Sequence, residues 1–202
     1  MARRRAGAAR GRGSAQPPVA RGAGVKRWAA LLKGVNVGGN RKLPMAELRT
    51  LVEGLGFGNV RTLLASGNVV FDAPGTAAAI VAKLEAALAE HGCKTDVLLR
   101  DLAEIDAVIA ANPFPEAAAD HPSHVLVVFH RDPFPAGLID KLPEIYTGPE
   151  RLHAEGRELF IDYPENIGES KLDRALAKLK FPAIATARNW NTVGKLWAML
   201  EV

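Results

Sequence analysis

The chain is poor in the residues that would make its chemistry easy to name. It has one cysteine, Cys93, in 202 residues. That excludes an internal disulfide and supports neither a zinc cage nor a redox pair. A lone thiol fits a reducing cytoplasm, which is the expected location. No run approaches the roughly 18 consecutive apolar residues that a membrane span requires, so a membrane is not an expected partner. Acid is missing from residues 1–24, "MARRRAGAARGRGSAQPPVARGAG", which carry six arginines and no other charge. The remaining 178 residues hold 20 Lys+Arg against 22 Asp+Glu. The sequence pI near 9.4 therefore belongs to the N-terminal segment, while the rest is slightly acidic. This weakens the case for nucleic-acid binding, which needs a basic patch on the folded surface. Residues 1–24 also lack hydrophobic periodicity and the apolar core of a secretory signal. They are expected to be a disordered Arg/Gly/Ala-rich tail, an inert extension or start-site artefact, with a weak nonspecific RNA contact as the alternative.

What remains has the makeup of a globular protein, with 48% hydrophobic and 24% charged residues. "KRWAALLKG" (26–34) suits a buried strand. "PMAELRTLVEGLGF" places Met45, Leu48, Val52 and Leu55 on one helical face, opened by Pro44 and closed by Gly56. "VRTLLASGNVVFDA" predicts a hairpin about a Ser66–Gly67 turn. "TAAAIVAKLEAALAEHG" predicts a helix, "KTDVLLRD" a strand and "LAEIDAVIAANPF" a further helix. The second half repeats this order, with strands at "SHVLVVFH", "RLHAEGRELFIDYP" and "AIATARNW". Its helices are expected in "PAGLIDKL", "SKLDRALAKLK" and "TVGKLWAML". Two successive β-α-β-β-α-β units imply an α+β fold of two tandem ferredoxin-like plait lobes, with a single larger mixed sheet as the alternative. The expected lobes are residues 25–112 and 113–202, divided by "NPFPEAAADHPSH".

In such a lobe the first and third strands are antiparallel neighbours. "KGVNVGGNRK" (33–42) should therefore lie beside "ASGN" (65–68) at one sheet end. Lys33, Asn36, Gly38, Gly39, Asn40, Ser66 and Asn68 would form one rim, with Arg41 and Lys42 nearby. Glycines allow close backbone approach, a helix start adds a favourable dipole, and lysine adds charge, a combination that suits an anion. The run lacks the G-K-[ST] ending of a phosphate-binding loop, and the plain alternative is a pair of turns. A second cluster, "TARNWNTVGKL", sets Arg188, Asn189, Trp190, Asn191 and Lys195 together, as base- or phosphate-binding surfaces do. There the alternative is that Asn191 or Thr192 caps the last helix and Trp190 packs between lobes. No catalytic machine is visible. Ser66 is not in a G-x-S-x-G elbow, and His121, His124, His130 and His153 lack the partners of a metal set. Asp162, Tyr163, Glu165 and Glu169 read as strand-end and loop residues rather than an acid/base pair. No cofactor or metal is expected.

The run "ALLKGVNVGGNRKLPMAELRTLVEGLGFGNVRTLLASGNVVF" resembles the opening block of the bacterial domain of unknown function 1697 family. "YPENIGESKL" and "TARNWNTVGKL" resemble its closing blocks, so the likeness spans about residues 26–202. It implies two ferredoxin-like lobes and transfers no catalytic residue. The family's recurring polar positions correspond here to Lys33, Gly34, Asn36, Gly38, Gly39, Arg49, Thr62, Ser66, Gly67, Asn68, Lys171, Arg188, Asn189, Trp190, Asn191 and Lys195. Two departures stand out: Lys33 replaces the usual arginine, and Leu63–Leu64–Ala65 replaces a more aromatic and polar segment. A lysine is a point charge rather than a bidentate fork, which weakens any planar anion clamp. Three functions remain in play at this level. The first is binding of a phosphate-bearing ligand at the rim (a nucleotide, phosphorylated metabolite or single-stranded nucleic acid). The second is a structural or protein-interaction module with no small ligand, and the third is an enzyme acting on a phosphorylated metabolite.

Overall fold

In the computed structural model, residues 24–36 and 42–202 are described. Strand β1 (Val25–Leu32) alternates the two faces it must serve. Trp28, Ala30 and Leu32 point one way, while Arg27, Ala29 and Leu31 point the other, and all six are buried. It pairs antiparallel with β3 (Asn68–Pro74) on one side and β4 (Val97–Arg100) on the other. β2 (Gly58–Leu63) completes a four-stranded sheet of order β2-β3-β1-β4. A second four-stranded antiparallel sheet has the same order, β6-β7-β5-β8, built from β5 (Val125–His130), β6 (Arg151–Glu155), β7 (Glu158–Asp162) and β8 (Ala185–Asn189). The architecture is α+β.

Three packed clusters stack through the molecule. On one face of the first sheet lie α1 (Met45–Gly54), burying Leu48 and Val52, and α2 (Ala77–Glu90), burying Ile80, Leu84 and Leu88. Thr76 caps α2 by accepting from the Ala79 N–H. The opposite face, Ala29, Leu31, Val70 and Leu98, meets the second sheet's Val125, Val127, Phe129 and Phe160 through three helices. These are α3 (Leu102–Ala110), opened by an Asp101/Glu104 capping box, α4 (Pro115–Asp120), and α6 (Trp190–Glu201). Helix α6 contributes Val193, Leu196 and Leu200 to this shared core. Each such buried side chain stabilises by about 1.5–3 kcal/mol, so the last helix ties the two sheets together. The outer face of the second sheet packs Leu159 and Ile161 on Leu142, Leu172 and Ala175.

The second half is less helical than its sequence predicts. "PAGLIDKL" forms a 3-10 helix over Ile139–Glu144 with Pro143 inside it. The helix expected through Leu179 ends early, as α5 (Leu172–Leu176). In the stretch "NPFPEAAADHPSH", Phe114 and, within α4, Ala117 are drawn into the shared core. At the first sheet's β4 edge, side chains cover the outward backbone groups. Glu85 accepts from the Val97 N–H at 2.9 Å, and Arg131 donates to the Val97 carbonyl at 2.9 Å.

Candidate functional site

The end of β1 and the start of β3 meet as their antiparallel pairing requires. Leu31 pairs with Asn68, and the Leu32 N–H donates to the Gly67 carbonyl at 2.8 Å. The connection between β2 and β3 spans Leu64–Gly67 rather than a two-residue turn, with φ of +56° at Leu64 and +74° at Gly67. Gly67 is required there, because a Cβ on it would lie 3.0 Å from Leu32 Cβ and 3.3 Å from Val35 Cβ. Asn36, at φ +58°, bridges two segments. Its Nδ2 donates to Leu43 O at 2.9 Å and Ala65 O at 2.7 Å, and its Oδ1 accepts from the Leu43 N–H at 2.8 Å. Gly38, Gly39 and Asn40, like Arg41, lie outside the described residues.

Of the second cluster singled out in the sequence, Arg188 reaches the first, at Asn68 and Ser66. From β8 its Nε donates to Asn68 Oδ1 at 2.5 Å. Nη1 donates to Thr186 Oγ1 and to the Ala187 carbonyl, both at 2.8 Å. Nη2 reaches the carbonyls of Leu32 and Ser66 at 3.0 Å, and that of Gly67 at 3.5 Å. Every N–H of the guanidinium thus has an acceptor, four of which belong to the first sheet's rim. None of these acceptors is a carboxylate. Burial lowers the Arg188 pKa to about 10, because the cation is taken out of water. Asn68, fully buried, also donates from Nδ2 to Leu63 O and to Ser66 Oγ, both at 3.0 Å.

The other predicted site residues divide by exposure. Lys33 is partly exposed, donates to the Ala183 carbonyl at 2.8 Å and pairs with Asp96 at 3.4 Å. Asn189, rather than Asn191 or Thr192, caps α6. Its Oδ1 accepts from the Thr192 N–H at 3.0 Å and Thr192 Oγ1 at 2.8 Å. The difference arises because β8 stays extended through Asn189 and the helix begins at Trp190. Trp190 packs against the shared core, and its backbone N–H donates to Pro122 O at 3.1 Å. Asn191 and Lys195 are exposed on α6. Ser66 Oγ has the Asn68 amide as its partner, and no imidazole or carboxylate bonds to it among the described residues. No group of three or more His, Cys, Asp or Glu side chains able to hold a metal occurs among the described residues.

Sequence reasoning missed the remaining cross-sheet arginines. Arg100 pairs with Glu158 at 2.8 Å and donates to the His130 carbonyl at 2.8 Å. Arg131 pairs with Glu85, and Arg157 with Glu104. Arg61 donates to the Met199 carbonyl at the far end of α6. Single arginines in strands and turns carry no pattern that foretells a partner dozens of residues away.

With this geometry in view, the comparisons with known proteins are consistent. No curated protein matches the chain. A conserved bacterial protein, SP0830 from Streptococcus pneumoniae, has a similar solved structure, with 27% sequence identity and a TM-score of 0.69. The match covers 87% of this chain and 99% of that one. A family model described as a protein of unknown function, DUF1697, matches residues 25–160. The chain belongs to the DUF1697 family.

Proposed function

We propose that this chain is a two-lobed structural or protein-interaction module in which the Gly/Asn/basic rim is a joint between lobes and holds no small ligand. The observation that carries this reading is Arg188: all its N–H groups are engaged within the protein, and its main partners are the rim itself. A guanidinium committed to five good internal acceptors has no donor left for a phosphate. The lobes are residues 25–112 and 113–202, each a ferredoxin-like plait. Support comes from the shared strand order and, in the first lobe, from two helices on one face of the sheet. No helix among the described residues is long and apolar enough to cross a membrane. A cytoplasmic location belongs to the same reading, supported by the lone, buried Cys93 thiol.

A phosphate-bearing ligand at the outer rim is the second reading. Lys33, partly exposed where β1 ends, favours it, and a nucleotide, a phosphorylated metabolite or single-stranded nucleic acid would supply the anion. The two readings separate in a thermal-shift panel of nucleotides, phosphorylated metabolites and short RNA and DNA. The assay is run in enough salt to screen the arginines of residues 1–24. A ligand at a hundredfold excess over its dissociation constant adds about 2.7 kcal/mol, well within detection. The joint reading expects no response, and it expects Lys33→Ala to melt close to the parent, since exposed ion pairs contribute about 0–1 kcal/mol. A rise in melting temperature in the parent that disappears in Lys33→Ala would overturn it in favour of the phosphate site.

A further inference from the structure

The run "YPENIGESKL" takes no part in the hydrogen bonds of Arg188. It instead walls a cleft of about 270 Å³ in the second lobe, opposite the segment 146–150. Glu150 is anchored there. The Tyr146 hydroxyl donates to its Oε2 at 2.8 Å, and the Ser170 hydroxyl donates to its Oε1. Burial pushes the Glu150 carboxyl up, but the two hydroxyl donors outweigh this and hold it below the usual carboxylate range. The segment closes tightly on that pair: a Cβ on Gly148 would collide with Tyr146 Oη and Glu150 Oε2.

The second observation is Tyr163. Its side chain is almost entirely buried, at 4% exposure, yet it lines the cleft. Its hydroxyl enters none of the hydrogen bonds among the described residues. Burial, with the Asp173 and Glu150 carboxylates nearby, raises its pKa and keeps the proton on the oxygen. The oxygen itself is not sealed in the core but opens to the cleft, so its proton is free for an acceptor outside the chain. The tight Tyr146–Glu150–Ser170 network would pin the segment equally well with phenylalanine at 163, so pinning does not account for the hydroxyl.

Charge and size then select the ligand. Glu150, Glu165 and Glu169 face one cation, Lys171, so phosphate and carboxylate ligands are repelled. The volume lies below the roughly 300–1,000 Å³ of drug-sized sites, which suits one saturated ring rather than a nucleotide. We propose that this cleft binds a small hydroxyl-rich ligand carrying an amine, of the amino-sugar class. The Tyr163 hydroxyl donates to a ligand oxygen, and the Glu150 carboxylate accepts from its ammonium or hydroxyl group.

The test is titration of the uniformly 15N-labelled full chain with glucosamine, galactosamine, glucose and glucose 6-phosphate, following backbone amide shifts. Saturable shifts confined to residues 146–150 and 163–171 are expected, with an amino sugar binding more tightly than glucose and glucose 6-phosphate binding most weakly. Tyr163→Phe removes only the hydroxyl. It should keep or raise the melting temperature and weaken amino-sugar binding about five- to tenfold, the effect of one lost hydrogen bond. Four results overturn the proposal: no saturable shift in the cleft with either amino sugar, tighter binding of glucose 6-phosphate, unchanged affinity in Tyr163→Phe, or a Tyr163→Phe protein that melts far below the parent.

Discussion

Replacing Arg188 by alanine tests whether the rim is a joint. The guanidinium makes three short bonds to the first sheet's rim, at Asn68 Oδ1, Leu32 O and Ser66 O. Hydrogen bonds to a charged group contribute about 1.5–3 kcal/mol each, so the gross loss is roughly 5–9 kcal/mol. Opposing it is the cost of burying a cation with no carboxylate partner. A pKa held down to about 10, well below the ordinary arginine value, corresponds to about 3 kcal/mol. The alanine variant should therefore be less stable by about 2–6 kcal/mol, which lowers the melting temperature by at least about 4 °C for a chain of this length. Differential scanning calorimetry gives the magnitude. Amide hydrogen exchange gives the location, with protection falling together in β8 and in residues 64–68. The reasoning is refuted if Arg188→Ala melts within about 1 °C of the parent, because unpaired buried carbonyls cannot be that cheap.

Two further outcomes follow from the same geometry. Gly67→Ala combines a left-handed backbone with a Cβ contact of 3.0 Å to Leu32, and should cost roughly 2–3 kcal/mol in urea denaturation. Gly56→Ala has a similar φ but open space around it and should cost only about 1 kcal/mol, so equal losses would remove the close-approach argument. For Glu150 the folded carboxyl titrates below its ordinary 4.5, so its contribution is complete above that value and fades as pH falls through the lowered one. Urea midpoints from pH 7 to pH 3 should fall more steeply for the parent than for Glu150→Gln, and parallel curves would contradict the assignment.

Much of the architecture was legible in the chain because it rests on local periodicity. The apolar run "KRWAALLKG" names a buried strand, and the helical stripe of Ile80, Leu84 and Leu88 names a helix and the face it buries. The element order places residues 33–42 beside 65–68, because neighbouring antiparallel strands bring opposite ends together, and among the described residues Asn36 does reach Ala65. Local signals failed where a segment's partner is remote. The run "NPFPEAAADHPSH" shows breaker residues but not that a core assembled from both sheets recruits its Phe114 and Ala117. The cap of α6 falls on Asn189 because pairing with β5 keeps β8 extended that far.

The candidate site shows the same division. Sequence alone determined that polar, glycine-bearing turns would gather at one end of the first sheet, since strand order and chain direction fix that meeting. Only the tertiary structure decided that Arg188 of the second sheet lies over them and takes up their acceptors. Residue types say which groups can donate and accept. Which ones are left for a ligand depends on pairings across more than a hundred residues, and those are set by packing the two sheets around α6.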